Sequence, residues 1–530
     1  MLHRLVLLLA LALPATGLTV TVVTPNGGEV WAAGSSQSIS WTCGGGTADR
    51  DSIWYSIDGG SSWIFVAEKH PATTTHLWFV PNTSSTAALV RVQVSNSAGS
   101  ASDQSDAVFA VSGRASGWYP LPPVPGEGAV KEGGSLACNS DNGRVYEMKG
   151  NKSLEFHGYG IAETTWSGLS PIPSGLKAPK SGASMATGAG KVFITKGNNT
   201  LEFCRYDITT GAWLPATATV PLGDGWKVRA GGSMAFVRKS EGDFVYLLKG
   251  YGTDFYKYDL AGDSFITLTS APTGMRGRYD KGSWIAYDGA QFIYCNKAKY
   301  SEFYKYDVLA EQWSPQRLAS LPLSGPMSPR MKMTGSGSCA AWGNNALYAL
   351  KGSGTHSFWK YIPDESTGTW IEVDTLPRVA FPGDRAKNAK AGASLTYYPA
   401  GNVFFAQKGN KCNQFWMYVP GASRAPGTRP AQDGVAEAAR LSGACRLSIA
   451  PNPLVRGRVT VRWNSVGATV LSQVRVSICD AAGRTVVAGK PLLWSAGNAT
   501  FDLRDAPSGV YLVRLTADGL AASQKLVVAR

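Results

Sequence analysis

Six lysines recur at intervals of about 50 residues, and the residues around them are those of an anion-binding surface. Lys149, Lys196, Lys249, Lys351 and Lys408 each precede a glycine, and Lys297 holds the same place after Asn296 in a degenerate copy. Basic segments lie between the copies, among them Arg276 to Lys281, Arg330 to Lys332 and Arg385 to Lys390. Shortly after the first four lysines stand Glu155, Glu202, Asp254 and Glu302, close enough across a tight turn to neutralise them. Exposed pairs of this kind contribute about 0.2 to 1 kcal/mol and read as scaffold. In the fifth and sixth copies Ser357 and Gln414 replace the acid, which leaves Lys351 and Lys408 without that partner. The candidate ligand-binding residues are therefore Lys351, Lys408, Arg385, Lys387 and Lys390, with Arg330 and Lys332 beside them. The alternative is a basic face that is merely solvated.

Catalytic chemistry finds less support. The chain has five His, and their scatter leaves no His-rich metal site. Asp207, Asp259 and Asp307 each follow a repeated Tyr, where Asp starts a turn, and no nonrepeating acid pair stands out as a glycosidase would require. There is neither a Gly-x-Ser-x-Gly elbow in a strand-to-helix setting nor a phosphate loop. No catalytic, cofactor-binding or metal-binding residue is assigned, and no cofactor is expected. If the chain were a carbohydrate-active enzyme, Asp384 or Asp224 would be the acid to serve as base.

The elements that carry these residues are short strands. A Gly-x-Ser start recurs at Gly133 to Ser135, Gly182 to Ser184, Gly231 to Ser233 and Gly392 to Ser394, with Gly282-Ser283 in the fourth copy and Ser336-Gly337-Ser338 in the fifth. The lysine follows, then Phe-x-x-Tyr at Phe156 and Tyr159, Phe203 and Tyr206, Phe255 and Tyr258, Phe303 and Tyr306, Phe358 and Tyr361, and Phe415 and Tyr418. An aromatic comes next at Trp166, Trp213, Phe265, Trp313 and Trp370. This order resembles the kelch repeat, in a divergent form with Lys-Gly where the family has two glycines. The resemblance implies a β-propeller of six four-stranded blades over residues 114–420. The sixth copy lacks its Trp, whereas Trp118 precedes the first copy unclaimed, so an N-terminal strand is expected to complete the last blade. The kelch family includes a copper oxidase with two His and two Tyr ligands. Only His157 and His356 fall in this segment, near turns of distant blades, which excludes that chemistry. The repeated aromatics are expected to be core between blades.

Two small β-sandwich domains are expected to flank the propeller, in an all-β chain. Residues 1–17 read as a signal peptide, with a basic start at His3 and Arg4, an apolar run from Leu5 to Leu13 and small residues at Ala15 to Gly17. Residues 18–113 alternate with period two, as at Thr19 to Val23 and Val90 to Val94. With Thr24-Pro25-Asn26-Gly27-Gly28-Glu29-Val30-Trp31 this segment resembles the immunoglobulin-like modules of exported bacterial surface proteins. Within it, Ser56 to Trp63 is similar to the Asp-box hairpin of sialidases and is read as a structural turn. Residues 421–446 are an Ala, Gly and Pro-rich linker. Residues 447–530 resemble the C-terminal sorting domain of the type IX secretion system, through Leu447 to Pro453, Val474 to Arg484, Ala506 to Leu515 and Gln524 to Val528. The resemblance implies passage across an outer membrane, often with removal of the domain as the protein is attached to surface lipopolysaccharide.

Lys and Arg outnumber Asp and Glu by 51 to 37, and the excess lies in the middle and the tail. Eight Cys show no disulfide framework; Cys43 reads as a buried thiol, and a Cys445 to Cys479 bridge is the pairing that proximity allows. The expected protein is secreted or on the outer surface of a Gram-negative-type bacterium. Its expected function is non-catalytic binding of a glycan or protein, with an acidic glycan favoured by the basic face. Its partners also include the secretion machinery, with no nucleic acid and no transmembrane segment in the mature chain. An extracellular carbohydrate-active enzyme and a structural surface or matrix protein are the alternatives.

Overall fold

The computed structural model describes residues 17–421 and most of 445–529. The expected signal peptide, nearly all of the linker and the Cys445 to Cys479 pairing lie outside the described residues and side chains. The chain is all-β and divides into two units at residue 426. Among the described residues no helix is long and apolar enough to cross a membrane.

The N-terminal module packs two sheets. Strands Thr19–Thr24, Ser36–Gly44 and Thr75–Phe79 form one, and Val30–Ala32, Phe109–Ser112, Ser85–Asn96, Arg50–Ser56 and Ile64–Lys69 form the other, with Gly99–Gln104 paired to Ser85–Asn96. Period-two alternation turns Ile39, Trp41, Val90 and Val92 inward onto Trp31 and Trp78. Cys43 is exposed, contrary to expectation, because Ser36–Gly44 outruns its neighbour Thr75–Phe79, whose pairing ends at Ser40. The turn at Asp58 is closed from within. Gly60 N–H donates to Ser56 Oγ at 2.9 Å, Ser62 N–H donates to Asp58 Oδ1 at 2.9 Å, and Arg91 lies 4.4 Å over the Trp63 ring.

Six four-stranded antiparallel sheets form a six-bladed β-propeller, whose innermost strands adjoin in sequence with the last beside the first. The sixth sheet takes its outer strand from Gly117–Leu121, in register with Phe415–Val419 from Gly117 opposite Val419 to Leu121 opposite Phe415. The repeated Gly-x-Ser explains how blades join. The glycine sits at positive φ against the next connection, so that a Cβ on Gly182 would lie 1.7 Å from Arg229 O. The serine hydroxyl then accepts an N–H from the next innermost strand: Met185 N to Ser135 Oγ at 3.3 Å, Met234 N to Ser184 Oγ at 3.0 Å, and Leu136 N to Ser394 Oγ at 2.9 Å across the closure.

The repeated aromatics bind blade to blade. Phe156 meets Tyr206 of the next blade at 5.2 Å, Phe203 meets Tyr258 at 4.7 Å, and Phe415 meets Tyr159 of the first blade at 5.1 Å. Trp370 caps Phe303 and Tyr361, and Trp118 packs in the same way on Phe358 and Tyr418, at 4.8 and 4.9 Å. These offset and edge-on geometries stabilise an aromatic core beyond its area burial.

The C-terminal unit holds two sheets, Cys445–Ala450 with Arg458–Ser465 and Asn498–Asp502, and Thr485–Leu493 with Gln473–Asp480, Gly509–Ala517 and Leu520–Val528. Val459, Val461, Val476, Ile478, Val513 and Leu526 are buried in its core.

Candidate functional site

In each blade the innermost strand starts at the end of the channel where the Lys-Gly turns and the inter-blade connections also lie. The repeated lysines are sealed inside that end. Lys351 and Lys408, expected on an open basic face, are 1% and 0% exposed, and Lys149, Lys196, Lys249 and Lys297 are equally buried. The connection entering each blade folds over the lysine and offers it a backbone carbonyl, which compensates the ammonium for lost water. Nζ of Lys149 donates to Glu127 O at 2.9 Å, Lys196 to Ser174 O at 3.0 Å, Lys249 to Leu222 O at 2.6 Å and Lys351 to Leu323 O at 2.8 Å. Lys297 and Lys408 reach Thr273 O and Pro377 O in the same way.

The acids complete a clamp. Glu155, Glu202, Asp254 and Glu302 pair with Lys149, Lys196, Lys249 and Lys297. They also accept backbone N–H groups of the same connections, from Glu127 at 2.9 Å, Leu176 at 3.0 Å, Asp224 at 3.4 Å and Met275 at 2.7 Å. Where the acid is replaced, another takes the task. Glu372 accepts Met327 N–H at 2.8 Å, and Asp384 accepts Phe381 N–H at 3.3 Å and Gln414 Nε2 at 3.2 Å. Lys408 donates to Gln414 Oε1 at 2.5 Å. With no carboxylate bonded to Nζ, burial pushes both Lys351 and Lys408 down to about 8.

The remaining basic candidates are at the surface but not together. Arg385 and Lys387 line a cavity of about 280 Å³ with Lys411, Asp384, Phe381 and Gln414. Lys390, Arg330 and Lys332 are not among its lining residues. Asp384 lines this side cavity rather than the channel, and Asp224 is also away from the channel lining.

The two ends of the channel differ. At the connection end a cavity of about 170 Å³ is lined by the Gly-x-Ser backbones, and Lys281 Nζ meets Glu132 Oε1 at 2.6 Å. Burial alone would raise the Glu132 carboxyl, but the Lys281 ammonium holds it below its ordinary range. At the opposite end the channel opens into a bowl of about 720 Å³. Into it the innermost strands present, at one level, Cys138, Thr187, Phe236, Tyr287, Trp342 and Tyr397. Trp342 lies parallel to Tyr294 at 5.7 Å, and Tyr397 O–H donates to Asn402 Oδ1 at 3.0 Å. Asn344 and Asn345 form a tight turn at the rim, both at positive φ, which Asn tolerates better than most residues. The N-terminal module braces the same rim, with Asn82 N–H donating to Gly401 O at 3.1 Å and Phe79 edge-on to Tyr398 at 6.0 Å.

No charged side chain is among the described residues lining the bowl. Aromatic faces beside amides and hydroxyls suit a neutral polar ligand, and the bowl lacks the paired carboxylates of glycoside hydrolysis. Sequence reasoning missed this site because its aromatics are ordinary strand residues. The available signal was their common place, three or four residues after the repeated serine in four successive copies.

No curated protein sequence matches the chain. Among solved structures it is similar to YjhT, with 11% identity over 56% of this chain and 95% of that one and a TM-score of 0.40. It is also similar to an auxiliary nutrient binding protein from Bacteroides thetaiotaomicron, with 10% identity over 76% and 97% and a TM-score of 0.40. A third is the SapL1 lectin in complex with alpha methyl fucoside, with 14% identity over 55% and 93% and a TM-score of 0.35. Residues 448–529 match the family of secretion system C-terminal sorting domains, so the chain is exported and is secreted or held at the outer surface of a Gram-negative-type bacterium.

Proposed function

We propose that the propeller is a non-catalytic binding module that holds a neutral glycan in the aromatic bowl, delivered to the cell exterior by its C-terminal domain. The observation that carries this reading is the uncharged lining, with four half-buried aromatics at one level beside the amides of Asn344, Asn345 and Asn402. Sugar rings present C–H faces to aromatic rings and hydroxyls to amides, and both surfaces meet here. The repeats are read as kelch-type, and the N-terminal module as an immunoglobulin-like spacer whose contacts brace the rim. The domains are read as 18–113, 114–420 and 447–530, joined before the last by a linker. A second reading places an acidic glycan or an acidic protein segment at Arg385 and Lys387, favoured by the side cavity that they share with Lys411.

The test is a glycan array probed with the full secreted chain at low and high salt. The expected outcome is salt-insensitive binding to neutral glycans. Asn345→Gly keeps the turn and removes the exposed amide, and is expected to lower affinity about tenfold, or ~1.4 kcal/mol. Salt-sensitive binding to acidic ligands that is lost in Arg385→Ala/Lys387→Ala would favour the second reading. Absence of glycan binding in either salt would overturn the first.

A further inference from the structure

We infer that the connection end of the propeller, opposite the bowl, docks onto an anionic lipid surface. Four successive connections carry a large apolar residue at an exposed tip. Leu176, Trp226, Met275 and Met331 are 77%, 46%, 74% and 68% exposed. In each case the next residue is a cation: Lys177, Lys227, Arg276 and Lys332. Isolated exposed apolar residues are ordinary on protein surfaces. The same apolar-cation pair at the tips of four consecutive connections, all on one end of a ring, is not.

These tips are held out rather than loose. The clamp described above fixes the backbone of the connections, and at two of them it binds the tip residue itself, through Leu176 N–H to Glu202 and Met275 N–H to Glu302. Buried lysines hold the carbonyls of Ser174, Leu222 and Thr273 just before three tips. Trp226 is braced edge-on by Tyr251 at 5.2 Å, with the Arg229 and Arg278 guanidinia 4.3 and 3.8 Å from the Tyr251 ring centre. The backbones of Leu176 and Met275 are thus fixed at the tip residue, and those of the other two connections at Asp224 and Met327.

The pattern selects lipid over protein. A protein interface concentrates its apolar residues in a contiguous centre with a polar rim. Here apolar and cationic residues alternate around a ring whose centre is the Ser-lined mouth closed by Glu132 and Lys281. The four residues stand on one end of the ring, and a bilayer surface would meet that end as a whole. Leu and Met tips would enter the boundary with the acyl chains, Trp226 would sit among headgroups, and the adjacent Lys and Arg would meet lipid phosphates. Of the acids on this end, Asp280 is paired with Lys299 at 2.7 Å and Glu132 with Lys281, while the exposed Asp224 stands two residues before Trp226 and offsets part of the charge of that connection. The connection into the first blade, Gly126-Glu127-Gly128, has neither an apolar tip nor a cation there and marks the sector that stays off the surface.

The test is flotation of the full chain with vesicles of phosphatidylcholine alone or mixed with phosphatidylglycerol, at low and high salt. The expected result is retention on the anionic vesicles at low salt, weakened by salt and weak on the neutral ones. Two triple variants, Leu176→Ser/Met275→Ser/Met331→Ser and Lys177→Ser/Arg276→Ser/Lys332→Ser, change only tip side chains. Each is expected to lower retention more than tenfold while leaving the thermal unfolding midpoint unchanged. Brominated anionic lipid is expected to quench the wild type more than Trp226→Phe. Wild-type retention by either triple variant, no preference for anionic vesicles, or quenching unaffected by Trp226→Phe would overturn the inference. Glycan binding in the bowl is expected to survive both triple variants, so this proposal and the glycan reading fail separately.

Discussion

Lys351 and Lys408 show how one residue type changes meaning with burial. In the sequence an unpaired lysine in a basic stretch reads as a ligand for anions; inside the fold the same ammonium is a donor to Leu323 O or Pro377 O. The unfolded chain keeps a lysine proton up to about pH 10.4, whereas burial makes the folded protein release it near 8. Between those values the unfolded state binds more protons, so unfolding free energy rises with pH by about 1 kcal/mol per pH unit for each group. Within the same window the buried thiols of Cys138, Cys204, Cys295 and Cys339, raised by burial, oppose the trend because unfolded thiols ionise first, and above it buried tyrosines such as Tyr258 and Tyr304, raised by burial to about 12, do the same. The thiols and tyrosines are common to both proteins, so the unfolding free energy of the wild type minus that of Lys351→Met/Lys408→Met is expected to rise between about pH 8 and 10, as chemical denaturation would measure. An identical pH dependence in both proteins would refute the assignment.

At the scale of the blade, the repeated lysine and acid are a device for holding a connection. Lys297 and Glu302 are both fully buried and 3.1 Å apart, with Glu302 also accepting Met275 N–H. Burial lowers Lys297 even with this partner, which is the sign of an ammonium that depends on its carboxylate. Glu302→Gln is expected to destabilise by ~3 to 5 kcal/mol, because it leaves a charge buried without its counterion. Lys297→Met/Glu302→Leu is expected to cost much less, and urea denaturation of both variants compares them directly. The pairing of lysine with acid was legible from their separation across a turn. Its burial was not, since the connection that covers it arrives from more than 20 residues earlier in the chain and nothing local records that approach.

At the scale of the whole molecule, the propeller is closed by side chains far apart in the chain. Trp118 occupies, on Phe358 and Tyr418, the place that Trp370 occupies on Phe303 and Tyr361. Trp118→Ala is expected to cost ~3 kcal/mol and to raise the rate of proteolysis in the sixth blade, which limited digestion with mass spectrometry would locate. Unchanged digestion would mean that the backbone pairing of Gly117–Leu121 closes the ring without the indole.

The all-β class and the six-bladed propeller followed from the sequence alone, because repeat period and aromatic order are properties of each unit by itself. The C-terminal export domain was legible for the same reason, its motifs being local and in order. What only the tertiary structure decided was which residues face outward and what they face. Phe236, Tyr287, Trp342 and Tyr397 become the wall of one bowl, while Leu176, Trp226, Met275 and Met331 become the tips of one ring. Both groupings join residues from successive blades, and they come together only once the innermost strands are arranged around a common axis. The repeated lysines, Lys351 and Lys408 among them, left the expected basic face for the same reason: charge can be counted along a chain, but solvent exposure is set by the connections that fold over it.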